Sequence, residues 1–321
     1  MWNALLGQVC GAGLLLLTVQ PVLAYFNLDA ALGTNTNEVS ESDSSVPFVD
    51  LFHTALPFED ARPWLTKGEV LYDADGWVRD LQGGQAGTRF LANLPAQTVP
   101  DGVYTVLYEG DGDIRYANDA SLVKHEAGKD TIRITAGVDK FLNATLLITR
   151  TNPQDYLRNI RILPPGGICD DDPFTRIADE SGCAAGHYRA FTEHYAKILF
   201  NPDYLNFMKD FKVIRFMNMS GITQNPMTSW QERPRLTQAT WGGKEGQRGV
   251  PLEIMVQLAN RLNAHPWFTL PHAADDDFVI QYARYVRQHL NANLKPHLEY
   301  SNETWNTLFL QGNYVREMGW L

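Results

Sequence analysis

The sequence predicts a chain in two parts, an antiparallel β-sandwich followed by the first half of a (β/α) barrel of the TIM type. Three observations carry that prediction. Between residues 47 and 150, short runs of alternating apolar and polar residues recur, separated by Gly- and Asp-rich stretches, the pattern of strands joined by hairpins. After residue 150 the apolar period lengthens to three and four and alternates with short extended runs, which is βαβ repetition and implies a parallel sheet. The length of 321 residues gives room for a full core, as one large domain or two smaller ones.

Hydrophobic residues make up 44% and charged residues 20% of the chain, an ordinary globular composition. The formal net charge of −10, with no basic stripe, argues against a nucleic-acid partner, whose phosphates would be repelled. Residues 1–24 read as a secretory signal peptide: an uncharged run containing four consecutive Leu at 14–17 ends in Val22-Leu23-Ala24, a small-residue cleavage pattern. The run is short for a membrane span, although its missing Lys or Arg leaves an uncleaved anchor as the alternative. A secreted chain with no membrane association after cleavage is the expectation. Cleavage would also remove Cys10 and leave Cys169 and Cys183 close together in one polar loop. In an oxidising compartment such a pair is expected to form a disulfide, and closing a loop of about 15 residues is worth on the order of 3 kcal/mol. Two free thiols are the alternative. Only His187 lies near them, so no zinc site and no cofactor is expected.

Residues 25–45, rich in Asn, Ser and Thr, read as a linker. In the expected sandwich, 46–150, runs 70–72 and 77–78 flank an Asp-Ala-Asp-Gly turn, 103–108 leads through Gly110 and Gly112 into 114–116, and 131–135 and 145–149 continue the series. Asp111 and Asp113 lack the twelve-position calcium loop and read as a solvated turn. Trp64, Trp77, Tyr104 and Tyr108 fit either core or a sugar-stacking face. In the expected partial barrel, 151–321, residues 159–163 form a strand that belongs either to the sandwich or to the barrel. The acidic run 170–172 reads as solvated. Helical spacing covers 187–210, restarting at Asn201-Pro202. Strands at 211–217 and 266–270 are separated by a polar loop holding Trp230 and Trp241 and by a helix from Pro251. A helix opening on Asp275-Asp276-Asp277 leads to the last strand, within 294–300.

Polar groups stand where these strands end: Arg215 and Asn218, then His272, then Asn302 and Glu303. In a (β/α) barrel such ends converge on one mouth. An amide followed by a carboxylate suits sugar chemistry, the acid protonating a glycosidic oxygen while the amide binds a hydroxyl. The alternative is a helix start with Ser301 or Asn302 as N-cap.

The segments 213–217, 267–272 and 299–306 resemble glycoside hydrolases of clan A. In its cellulase-like members an Arg ends the second strand, a His the third and Asn-Glu the fourth. The stretch 201–319 is also similar to secreted polysaccharide-associated proteins with a sandwich before the barrel. The resemblance implies Glu303 as general acid/base, Asn302 on the sugar 2-hydroxyl, Arg215 and His272 as orienting groups, and Trp230 or Trp305 as stacking platforms, with a β-linked polysaccharide as partner. It also implies a second carboxylate at the end of a seventh strand, beyond residue 321, so the expectation is a fragment lacking the nucleophile. A non-catalytic carbohydrate-binding or cell-surface protein is the competing expectation. Three Asn-X-Ser/Thr patterns, at Asn143, Asn218 and Asn302, match glycosylation acceptors.

Overall fold

The computed structural model describes residues 26–61, 65–243 and 249–320. The expected signal peptide at 1–24 and Trp64 lie outside them. In chain order, β1 (Gly33–Asn35) precedes a run of antiparallel strands: β2 (Leu71–Tyr72), β3 (Val78–Asp80), β4 (Ala86–Pro95), β5 (Gly102–Glu109), β6 (Gly112–Asn118), β7 (Ala120–Glu126), β8 (Lys129–Ile134), β9 (Phe141–Thr151) and β10 (Arg158–Leu163). A small sheet of β11 (Gly167–Cys169), β12 (Asp172–Ile177) and β13 (Tyr188–Ala190) follows, then α1 (Phe191–His194) and α2 (Pro202–Met208). The last segment alternates β14 (Val213–Arg215), α3 (Leu252–Leu262), β15 (His265–Leu270), α4 (Asp276–His289), β16 (His297–Tyr300) and α5 (Leu310–Met318).

Two antiparallel sheets, ordered β10-β5-β8-β7 and β4-β9-β6, share one apolar core. The period-two pattern decides which side chains enter it: Tyr104, Val106 and Tyr108 of β5 point inward while Val103 faces solvent. Opposite them lie Phe90 and Leu94 of β4 and Leu146 and Ile148 of β9. Trp77 is buried and stacked on Phe52 at 5.7 Å, so Trp77, Tyr104 and Tyr108 are core and offer no sugar-stacking face. In the β5–β6 turn, Gly110 has φ +90, and a Cβ there would lie 2.2 Å from the Tyr156 carbonyl oxygen, so only glycine fits. Asp111 and Asp113 both bind Arg150, at 2.9 Å each.

The second core lies under a four-stranded parallel sheet ordered β1-β14-β15-β16. Ile214, Phe216 and Phe268 on its one face pack against Leu258 and Leu262 of α3 and Tyr282 and Val286 of α4. Asn201 caps α2 with Pro202 in its first turn, and the Asp275 side chain caps α4 by accepting from the Phe278 N–H.

Three expectations change. The stretch 25–45, expected as a linker, contains β1, whose residues pair in parallel with β14; three residues are too few to carry an alternating signature, and the pairing is supplied from a strand far along the chain. Residues 159–163, which fitted either part, belong to β10, antiparallel to β5. The helical spacing read over 187–210 resolves into β13, the single turn α1 and the short α2. There the apolar spacing reflects packing onto two separate cores, Phe191 in one and Tyr204, Leu205 and Met208 in the other.

Candidate functional site

Parallel pairing brings the ends of β1, β14, β15 and β16 side by side. Alternation along each strand puts Asn35, Arg215, Thr269 and Glu299 on the face away from α3 and α4. Arg215 is the hub. Its guanidinium holds Glu299 as a fork, Nε to Oε2 and Nη2 to Oε1, both at 2.8 Å, the bidentate geometry that only Arg provides. Its Nη2 also donates to Asn302 Oδ1 at 3.2 Å and its Nη1 to Asn35 Oδ1 at 3.3 Å. The same group lies 5.4 Å from the Trp267 ring centre.

Beyond β16 the chain does not enter a helix. Ser301 and Glu303 have φ of +55 and +45, left-handed conformations that cost a residue with a Cβ about 1–2 kcal/mol each. This excludes the N-cap alternative for Ser301 or Asn302, since the next helix is α5. Between the two strained residues Asn302 is buried, its Nδ2 donating to Thr223 Oγ1 at 3.2 Å and its carbonyl accepting from Gln311 Nε2 at 2.8 Å. Gln311 in turn accepts from the Gln224 N–H at 3.0 Å. The turn is thus fixed by β14, by the loop after it and by α5. The Glu303 side chain is exposed and accepts from Asn306 Nδ2 at 3.0 Å.

His272 adjoins this turn: its carbonyl accepts from Tyr300 Oη at 2.7 Å and its ring lies 5.1 Å from that of Tyr314. The ring is buried and Nδ1 has no partner among the described residues. Burial pushes its pKa below the ordinary imidazole value, which keeps it neutral at pH 7. The two tryptophans part company. Trp230 packs edge-on against Phe278 at 5.6 Å with Arg233 over its ring at 4.1 Å, so one face is taken. Trp305 is 78% exposed.

The structure therefore brings Arg215 and Asn302 into contact, leaves the side chain of the next residue, Glu303, exposed with Asn306 as its hydrogen-bond partner, sets His272 against the same turn, and engages Trp230 elsewhere. A small pocket lined by Glu38, Asn218, Thr223 and Trp241 lies at the β14 tip. Two residues beyond Thr223, Asn225 lines a cleft of about 390 Å³ with Glu59, Asp60, Tyr72, Asp73 and Glu232. Sequence reasoning missed Glu299, Thr223 and Gln311. Only Glu299 carried a signal, because the alternation of 297 and 299 against Leu298 puts both on the face that Arg215 shares.

Away from the strand tips, Cys169 and Cys183 form a disulfide with an S–S distance of 1.99 Å. Asp170, Asp171 and His187 bring possible ligand atoms within 4.8 Å of one another on the same exposed loop. Asp170 is already engaged by His187 Nδ1 at 2.8 Å and Arg189 Nη2 at 2.5 Å. Among the described residues no helix is long and apolar enough to cross a membrane. Comparisons with protein-family models, with curated proteins and with solved structures found no match.

Proposed function

We propose that the chain is a secreted, glycan-directed protein of glycoside hydrolase type that acts on β-linked polysaccharide, with Glu303 as the proton donor. On this reading the two antiparallel sheets are a sandwich and the parallel sheet is the opening half of a (β/α) barrel. The observation that carries it is the strained turn at the tip of β16. Two non-glycine residues in left-handed conformations are retained around Asn302, and Arg215 anchors the amide between them. Strain at a strand tip, on a residue that carries an exposed carboxylate, supports the reading of this turn as a site.

The roles follow from the contacts. Glu303 projects from the turn and, on this reading, donates its proton to the leaving glycosidic oxygen while a second carboxylate, which the described residues do not place, attacks the anomeric carbon and takes up the glycosyl group until water releases it. Asn302, with its amide directed to Arg215 and Thr223, fixes the turn and so positions Glu303. His272 packs against the same turn through its carbonyl and ring, and Trp305 offers an open aromatic face for a sugar ring. Glu299 is held by Arg215 through both its oxygens, which ties β16 to β14 below the turn. The disulfide supports an oxidising compartment.

The leaving-group dependence of aryl β-glycoside hydrolysis tests the assignment in a protein that also supplies the second carboxylate. Glu303→Gln is expected to slow substrates with poor leaving groups, which need the proton, far more than those with acidic phenols. Equal loss on both removes Glu303 as the acid. The second reading, a non-catalytic carbohydrate binder, is favoured by one observation: the carboxylate nearest in the sequence, Glu299, is committed to Arg215. Retention on insoluble polysaccharide that Trp305→Ala leaves unchanged selects it.

A further inference from the structure

A cleft of about 520 Å³ lies between the sheet that carries the Cys169–Cys183 disulfide, the segment 194–200 that joins α1 to α2, and the second half of α3. Its volume falls within the range of about 300–1,000 Å³ usual for small-ligand sites. Four basic side chains line it: Arg189, His194, Lys197 and Arg261. The one acid among the lining residues, Asp170, is already held by Arg189 Nη2 at 2.5 Å and His187 Nδ1 at 2.8 Å. The Lys197 and Arg261 side chains have no hydrogen-bond or ion-pair partner among the described residues. In a chain where 37 Asp and Glu outnumber 27 Lys and Arg, these two cations give one cleft a local excess of positive charge. Burial grades the lining. Ile168, Phe200 and Leu205 are buried while Lys197 and Arg261 are exposed, so an apolar wall lies inside a cationic rim. The walls are fixed within the described chain: β11 pairs with both β12 and β13, and Phe200, Leu205 and Leu258 of α3 share the second core. Arg261 stands four residues before β15, which sets the cleft toward the N-terminal ends of the parallel strands, at the opposite end from the Asn302-Glu303 turn.

We propose that this cleft binds a small amphipathic anion, a carboxylate or phosphate head on an apolar body, with the head at Lys197 and Arg261 and the body against Ile168, Leu199 and Leu205. The two parts of the lining select the two parts of the ligand. The exposed ammonium and guanidinium attract an anion, and Arg261 adds the planar fork that matches a carboxylate or phosphate. The apolar wall gains by covering hydrocarbon. A neutral ligand would leave both cations unmatched, and a nucleic acid would meet the net charge of −10 on the rest of the chain. The proposal makes no use of the sugar reading.

Isothermal titration of the full chain with octanoate, octyl phosphate and octanol tests it. At least one of the two anions is expected to bind at about millimolar concentration or below, more weakly as salt is added, and about tenfold or more tighter than octanol. The two anions separate an acyl carboxylate from a phosphate monoester as the source of the head. Lys197→Gln combined with Arg261→Gln is expected to weaken binding about tenfold. Lys197→Arg combined with Arg261→Lys should keep it, and Arg79→Gln, on β3, should leave it unchanged. Should the Gln pair fail to fold, labelling of the parent chain decides: the bound anion is expected to protect Lys197, and not Lys129 on β8, from an amine-reactive reagent read by mass spectrometry. Binding of neither anion, octanol bound as tightly as both, anion binding unchanged in the Gln pair, or Lys197 labelled equally with and without the anion overturns the proposal.

Discussion

Glu303 can be replaced by Ala and, separately, by Gly. Both variants lose the carboxylate and its exposed bond from Asn306, so the difference between them isolates the backbone. At φ +45 Ala retains a left-handed penalty of about 1–2 kcal/mol. Gly escapes it but gives up about 0.5–1 kcal/mol through the greater freedom of its unfolded chain. The expected balance leaves Glu303→Gly more stable than Glu303→Ala by about 0.5–1 kcal/mol, the difference of those two terms. Urea unfolding followed by tryptophan fluorescence measures it, provided the two slopes agree. The neighbouring Thr304, which is not among the residues of positive φ, serves as the control, and there Ala is expected to exceed Gly. An Ala variant at 303 as stable as the Gly variant would refute the reasoning that strain is stored in this turn.

Other perturbations have equally definite outcomes. Arg215→Lys leaves one ammonium where a fork held Glu299 and reached Asn302. It is expected to cost about 2–3 kcal/mol in unfolding free energy, whereas Arg215→Met with Glu299→Met should recover part of that loss. His53 is buried between Arg161 and Trp241, and desolvation lowers its pKa from 6.5 to about 4. Its unfolded form gains a proton as pH falls below 6.5 while the folded form does not. The protein should therefore lose stability between pH 6.5 and 4, by up to the order of 3 kcal/mol, and His53→Gln should flatten that part of the pH–stability curve. Replacing Cys169 and Cys183 together by Ser opens a loop with a sequence separation of 14 and is expected to lower stability by about 2–4 kcal/mol, read by thermal melting under oxidising conditions.

Much of the architecture was legible because the period of burial was local. The alternation in β5 and β9 and the apolar stripe of α3 both appear in the residues themselves, and they match the faces that pack. β1 was not legible: Gly33, Thr34 and Asn35 have weak strand preference and are held by β14, whose partner residue is 180 positions away. In the site, Arg215, His272, Asn302 and Glu303 could be marked as strand-end polar groups. What Arg215 binds could not be read, because a fork between β14 and β16 depends on register. Thr223 and Gln311 hold Asn302 from a loop and a helix whose positions no sequence pattern encodes. The aromatic residues divided by burial: Trp77 and Tyr104 went to the core and Trp305 stayed open, a distinction that composition does not make.

The most direct test of a sugar site at these strand tips is affinity electrophoresis through gels containing soluble β-glucan, xylan or mannan, comparing the parent chain with Trp305→Ala and Glu303→Gln. At least one polysaccharide should retard the parent chain, Trp305→Ala should lose that retardation, and Glu303→Gln should keep it. Free migration of the parent chain in every gel, or retardation that Trp305→Ala leaves unchanged, would contradict the account.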